Sequence, residues 1–222
     1  MTAGLKYTLL AVVFLLGYTS MSFELLVLRQ LINFVGSNTL ITSVVITFIL
    51  LFLSVGYYIG SVVRFAGSSN RRGSRMRYIP GRPVRRIMES LAMILVVWYI
   101  IACSYYLIEI YFYLLYAAGV RSTLGFVFAF SAAFLAFPSV CLGFITSVIG
   151  RMLHRYDTDY TGRFMAVDTI GSVLGSMLTT LVLMPLIGVS ATVVALVFLA
   201  AVAAFLLSSR RRRTETAVLS IM

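Results

Sequence analysis

The chain has 222 residues, of which 61% are hydrophobic and 11% charged, and its mean hydropathy is +1.02. Ordinary soluble domains are about half apolar and about a quarter charged. This composition therefore excludes a single water-soluble globular domain and predicts an integral membrane protein. A net charge of +11 would suggest a nucleic-acid partner for a soluble protein. In a membrane protein it is typical of loops that contact anionic lipid head groups, so we predict no nucleic-acid partner.

Six apolar segments are long enough to cross a bilayer, which takes roughly 17–25 residues each. In chain order they lie at 7–33, 39–63, 87–118, 122–149, 164–187 and 189–208. The first and third are longer than one crossing needs, so we expect tilt or continuation along the interface. The sequence thus predicts an all-α, polytopic helical bundle with one transmembrane domain over residues 1–208.

The polar stretch 64–86 between the second and third segments is rich in arginine. Its arginines are Arg64, Arg71, Arg72, Arg75, Arg77, Arg82, Arg85 and Arg86. Short loops rich in Lys and Arg stay on the cytoplasmic side, so this loop and the basic tail 209–222 are predicted to be cytoplasmic. With six crossings both termini are then cytoplasmic, and of the 18 basic residues only Arg29 and Arg121 fall on the opposite side. The predicted location is the inner (cytoplasmic) membrane, with the arginines of the loop available to lipid or to a partner.

Ionisable side chains inside a membrane are costly, so each is a candidate functional residue. The candidates are Glu24, Arg29, Glu109 and Asp168. Glu24 and Arg29 lie about 140° apart around a helix and about 7.5 Å apart along it. They either flank a cavity in the outer leaflet or form structural ion pairs, with each other or with neighbours such as Arg121 and Glu109.

Asp168 lies about one turn inside the fifth segment. The positive end of the helix dipole favours an anion there, so Asp168 is predicted to cap that helix or to pair with Arg163. The alternative is that it lines a vestibule at the inner end of the bundle.

Glycines spaced four residues apart predict close helix packing. The pairs are Gly56 with Gly60 and Gly171 with Gly175. Small residues at this spacing let two helix backbones approach each other within van der Waals contact. Pro138 and Pro185 each remove one helical hydrogen bond inside a span, which predicts a kink or a hinge.

The sequence shows no signature of a soluble enzyme. It has no P-loop, GxSxG, HExxH or CxxC motif, and its only histidine, His154, lies in a polar loop. Cys103 and Cys141 lie in apolar runs without the spacing of a disulfide framework or a metal site. We therefore predict no catalytic residue, no metal and no cofactor.

Two stretches carry a resemblance to a known family. One begins at Ser22 and includes Glu24 and Arg29; the other is the Asp168-Thr-Ile-Gly171-Ser-Val-Leu-Gly175 helix, followed by Pro185-Leu-Ile-Gly188. Together they resemble the membrane region of spermidine synthase-like transmembrane proteins. Many members of that family carry a soluble aminopropyltransferase-like domain after this region. The sequence ends at Met222 without one, so we expect no aminopropyl transfer.

Two functions follow as hypotheses. The first is a non-catalytic scaffold or assembly subunit that docks other membrane subunits, or copies of itself, through its glycine faces and basic loop. The second is a permease or channel for small molecules such as polyamines or other organic cations, because three carboxyl groups lie inside the membrane. The first requires fewer features that a sequence cannot show, so the sequence favours it.

Overall fold

The computed structural model describes residues 3–36, 38–62, 82–156 and 160–219. Within these ranges the chain is almost entirely helical and contains no strand, which confirms the predicted all-α class. The helices are α1 (Ala3–Val35), α2 (Thr39–Val62), α3 (Arg82–Ala102), α4 (Tyr105–Ala117), α5 (Thr123–Phe130), α6 (Ala136–Tyr156), α7 (Tyr160–Leu178) and α8 (Met184–Leu219). Two π-helical turns, Ser131–Leu135 and Thr179–Leu183, join α5 to α6 and α7 to α8.

Several of these helices are long and apolar enough to cross a membrane. By length and composition, four qualify in the described residues: Tyr7–Val35, Thr39–Val62, Thr123–His154 and Thr161–Leu206. The bent pair Ile87–Ala102 and Tyr105–Ala117 makes a fifth if it is counted as one span. The membrane character that the composition predicts is therefore matched by the folded chain.

The longest of these helices turns back on itself at Gly188. Its backbone angles there, φ 80° and ψ 168°, are not helical. Beyond the break Leu196 packs with Tyr18 and Leu26 of α1, and Ala204 lies beside Leu16, closer to the start of α1. Divided at Gly188, the described residues hold six apolar helical segments where the sequence predicts them. The crossings themselves and the cytoplasmic position of both termini stay predictions.

The third segment is bent rather than straight. α3 and α4 meet at an angle of 71°, at Cys103 and Ser104. Gln30 of α1 is buried, and its Nε2 donates a hydrogen bond of 3.0 Å to the Cys103 carbonyl at this break. The Gln30 amide thus donates to a carbonyl at the end of α3, where no backbone N–H of the same helix is available as a donor. The extra length of this segment is therefore taken up by a bend.

The contacts between helices fix their relative directions. α1 and α7 run parallel, since Phe14 faces Gly171 and Tyr18 faces Gly175. α2 and α6 also run parallel, because Gly56 faces Val140 and Gly60, one turn further along α2, faces Ser147 of α6. α3 runs parallel to α1, with Phe23 stacked on Tyr99 at 4.2 Å and Gln30 bonded to Cys103.

These directions place most basic positions at one end of the bundle. That end holds the start of α1, α3 and α7 and the last turns of α2 and α6. Arg151 lies there and donates to the carbonyls of Gly60 and Ser61 at 2.8 and 2.7 Å, which satisfies two free carbonyls at the end of α2. Arg29 lies near the opposite end of α1. The segregation is what a positive-inside orientation requires. Arg64, Arg71, Arg72, Arg75 and Arg77 fall outside the described residues.

The two parallel pairs are held together at glycines. A Cβ on Gly171 would collide with the Phe14 carbonyl, and one on Gly175 with the Tyr18 carbonyl. In the second pair a Cβ on Gly56 would meet the Val140 carbonyl, and one on Gly143 the Leu53 carbonyl. Both contacts are therefore backbone against backbone, the packing that small residues allow in membranes.

Pro138 causes a local break that another helix repairs. Proline has no N–H, so the carbonyl of Phe134 lacks its usual helical donor. A π-helical turn precedes the proline, and Trp98 Nε1 of α3 donates to the Phe134 carbonyl at 3.1 Å. Trp98 is thus a structural donor inside the bundle. The tyrosines of α4 that point outward, Tyr105, Tyr106, Tyr113 and Tyr116, are instead suited to the interface between the membrane and water.

Gly171→Ala is expected to destabilise the fold, since the new methyl group would push α7 away from α1. Overpacking of this kind costs about 1–3 kcal/mol. The control is Gly162→Ala in the same helix, where a Cβ meets nothing within 4 Å. Unfolding in mixed detergent micelles should show a lower free energy of unfolding for Gly171→Ala and no such decrease for Gly162→Ala. Equal behaviour of the two variants would contradict the close contact.

The role of Trp98 can be tested with a double-mutant cycle. Trp98→Phe should lower the free energy of unfolding by about 1–3 kcal/mol, because the buried Phe134 carbonyl loses its donor. In a Pro138→Ala background the new backbone N–H at position 138 can donate to that carbonyl. Trp98→Phe should therefore lower the free energy of unfolding by less in that background. A coupling of about 0.5 kcal/mol or more between the two substitutions is expected. Strict additivity would show that the indole N–H does not replace the missing helical bond.

Candidate functional site

A polar cavity of about 170 Å³ lies where the two glycine-packed pairs meet. It is lined by residues of α1, α2, α6 and α7. Its polar lining residues are Ser20, Glu24, Tyr57, Thr146, Asp168 and Ser172. The remainder of the lining is mainly leucine, isoleucine and methionine. Two of the charged residues that the sequence singled out therefore share one site.

Asp168 is held in the cavity by the close approach of α7 to α1. The position that a Cβ on Gly17 would occupy is 2.9 Å from Asp168 Oδ1 and 2.5 Å from the Asp168 carbonyl. Only a glycine fits there, so the carboxyl group lies directly against the α1 backbone. Asp168 is eight residues past the start of α7, which begins at Tyr160. The predicted capping role is wrong, because the free N–H groups of a helix lie in its first turn.

Glu24 reaches the same cavity from α1. Ser20, one turn earlier on that helix, donates to Glu24 Oε1 at 3.3 Å. The carboxyl group is therefore drawn back to the level of Ser20, as helical side chains lean toward the N-terminus. Ser20 lies three residues beyond Gly17, a rise of about 4.5 Å. The carboxyl groups of Glu24 and Asp168 are thus about one helical turn apart along α1.

Thr146 of α6 contributes a hydroxyl group without a partner. The residue is 9% exposed and lines the cavity. Other threonines in these helices, including Thr19 and Thr192, bond the carbonyl of the preceding turn. Within the described part of the chain the Thr146 hydroxyl makes no such bond. Because this hydroxyl lines the cavity and does not bond the helix backbone, it is suited to contact a ligand.

The cavity carries an excess of negative charge. Among the described residues its lining includes two carboxyl groups and no Lys, Arg or His. A carboxylate in a site of low dielectric has lost the solvation of its charge, and a bound cation compensates for that loss. The arrangement therefore favours a bound cation.

The other predicted candidates lie elsewhere. Arg29 is exposed, and its Nη1 lies 3.2 Å from Met184 Sδ. Glu109 is exposed on α4. Neither residue lines the cavity, so Arg29 does not flank it together with Glu24. Arg82, Arg85 and Arg86 fall in the first turns of α3.

Sequence reasoning missed several residues of this site. Gly17 is a lone glycine in a long apolar run, and nothing in its neighbourhood predicts a partner helix. Ser20, Tyr57 and Thr146 are common residues of membrane helices. The only available signal was that Ser20 and Glu24 are four residues apart and so lie on the same face of a helix.

The site has no arrangement typical of a metal centre. No group of three or more His, Cys, Asp and Glu side chains comes together in the described ranges. Its donors are two carboxyl groups and several hydroxyl groups, which suit an alkali-metal ion or an ammonium group.

Comparison with known proteins found nothing similar: no family model, no curated protein and no solved structure matches the chain. The resemblance to the membrane region of spermidine synthase-like proteins therefore stays a prediction.

Removing either carboxyl group should make the protein more stable. Glu24→Gln and Asp168→Asn each replace an acidic group with a neutral amide in a poorly solvated site. Substitutions that relieve such functional compromises commonly add about 0.5–2 kcal/mol. Glu109→Gln, which removes an exposed carboxyl group, should leave the stability unchanged. Unfolding in detergent without added salts of small cations would measure all three variants. A clear loss of stability in Glu24→Gln and Asp168→Asn would mean that the carboxylates are structural ion-pair partners.

Proposed function

We propose that this protein is a permease that binds a small cation between Glu24 and Asp168 and carries it across the membrane. The observation that supports the proposal is the shared cavity, which two carboxyl groups line without a basic side chain beside them. An uncompensated carboxyl pair inside a membrane is costly and typically marks an ion or substrate pathway.

The position of the cavity supports transport in particular. Glu24 lies near the middle of the apolar stretch Tyr7–Val35, and transporter sites commonly lie near the midplane of the bilayer. The cavity also lies between two closely packed helix pairs, α1 with α7 and α2 with α6. A rocking motion of one pair against the other would expose the site first to one side and then to the other.

The scaffold hypothesis has less support. It relied on glycine faces that would dock other subunits, but Gly56, Gly60, Gly171 and Gly175 are buried against helices of the same chain. The basic loop, its second basis, lies largely outside the described residues.

Cation binding can be tested with radiolabelled methylammonium on the purified protein and by uptake into proteoliposomes. Glu24→Gln and Asp168→Asn should each weaken binding at least tenfold, which corresponds to about 1.4 kcal/mol, and should abolish uptake. Glu109→Gln is the matched control and should retain both.

Two results would contradict the proposal. One is unchanged binding and uptake in Glu24→Gln and Asp168→Asn. The other is the absence of any saturable binding of methylammonium, rubidium or other small cations to the intact protein, together with stable co-purification of a second membrane protein. That second result would favour the scaffold function.

A further inference from the structure

The cavity is open on the side of α2. Leu50 and Tyr57 line it and are nevertheless 60% and 39% exposed at the surface of the bundle. α1 packs along α7 and α2 along α6, but within the described residues α2 and α7 make no extensive contact with each other. The opening therefore lies on the outside of the bundle, beside α2.

This opening lies at the depth of the lipid chains. Leu50 is near the middle of α2, which runs from Thr39 to Val62. A transmembrane helix of this length spans the hydrocarbon core, so its central residues are far from both aqueous phases. Ile46, Leu51 and Val55 are exposed apolar neighbours of Leu50 on α2. Thr47 and Ser54 are exposed there as well, but their hydroxyls donate to backbone carbonyls of the same helix at 2.7 Å. A ligand that passes this opening comes from the bilayer and not from water.

The size and chemistry of the cavity define the part of a ligand that it can hold. Its volume, about 170 Å³, is close to that of the engineered cavity of about 150 Å³ that binds benzene. A substituted ammonium group fits this space, with Glu24 and Asp168 as counter-ions and the unbonded Thr146 hydroxyl as an acceptor. The apolar lining, formed by Leu16, Met21, Ile49, Leu53 and Leu142, suits attached carbon atoms.

From the carboxyl pair, the unbonded threonine and the opening at Leu50 we infer that the ligand is an amphiphilic ammonium compound that enters sideways from the bilayer. Its charged head occupies the cavity, and its alkyl chain lies beside α2 among the lipid chains. Lipid-soluble amines and lipids with an amine head group share this chemistry. The inference rests on the proposed cation site and adds to it the class of the ligand and its route.

The test uses protein in phosphatidylcholine nanodiscs and a series of primary alkylammonium ions from methyl to octyl. The apparent affinity, referred to the aqueous concentration, should rise at least tenfold over the series, because the membrane concentrates longer chains at the opening. Leu50→Trp should remove this rise by blocking the opening. Leu51→Trp is the matched control, since Leu51 is 52% exposed on the same helix and does not line the cavity. Leu50→Phe serves as a milder block if Leu50→Trp does not purify in folded form.

Each outcome decides a different point. An affinity that is flat over the series, with equal binding by Leu50→Trp and Leu51→Trp, would overturn the sideways route while leaving the cation site intact. Binding of octylammonium that persists in Glu24→Gln and Asp168→Asn would instead overturn the proposed function. Nanodiscs that also contain phosphatidylethanolamine distinguish the sources: competition with octylammonium identifies a lipid head group as the ligand, and no competition identifies a free amphiphilic amine.

Discussion

The contact of helix backbones at glycines is the constraint on which the rest of the structure depends. Lipid chains are as apolar as leucine, so helices in a bilayer gain little from burying apolar surface against each other. They associate through close packing, and here Gly171 and Gly175 bring α7 onto α1 while Gly56 and Gly143 bring α2 onto α6. The two pairs are well packed internally and less well packed against each other. The cavity occupies that weaker boundary, and the contact at Gly17 sets the carboxyl group of Asp168 inside it.

A bilayer also requires every backbone group to find a partner within the protein, and the breaks in these helices show how this is met. Trp98 donates to the carbonyl that Pro138 leaves free, and Gln30 donates to the carbonyl at the bend between α3 and α4. Arg151 satisfies the last carbonyls of α2. Each break is thus tied to a different helix, so the bends are fixed by tertiary contacts. Side-chain groups are satisfied less completely: among the described residues, Gln30 Oε1 and the hydroxyls of Tyr99 and Ser131 are buried without a hydrogen-bond partner.

The sequence predicts the helices well and the site poorly, for a physical reason. Apolar length and the placement of arginines are local properties, so the all-α class and the six apolar segments can be read from one chain. The pairing of helices is not local: Glu24 and Asp168 belong to the first and fifth segments, and no spacing along the chain relates them. Gly56 and Gly171 indicate that their helices pack closely against another helix, but the sequence does not show which helix that is. The bend at Cys103 and Ser104 contains no proline or glycine from which it could be predicted. Tyr99 is buried against Phe23, but the sequence does not distinguish it from the other aromatic residues of its segment.

The proposed function explains features of the cavity that stability does not. Leucine or methionine at positions 24 and 168 would fill the cavity, remove two charges from a poorly solvated place and strengthen the packing of α1 against its neighbours. Glycines and apolar side chains hold the two helix pairs, so the proposed function assigns these carboxyl groups to the ligand and not to the fold. The opening beside Leu50 is equally unnecessary for packing, since a bulkier residue there would close it. Two acidic groups, a hydroxyl and an opening beside α2 coincide at a position where stability alone would favour none of them, and the proposed ligand would account for the combination.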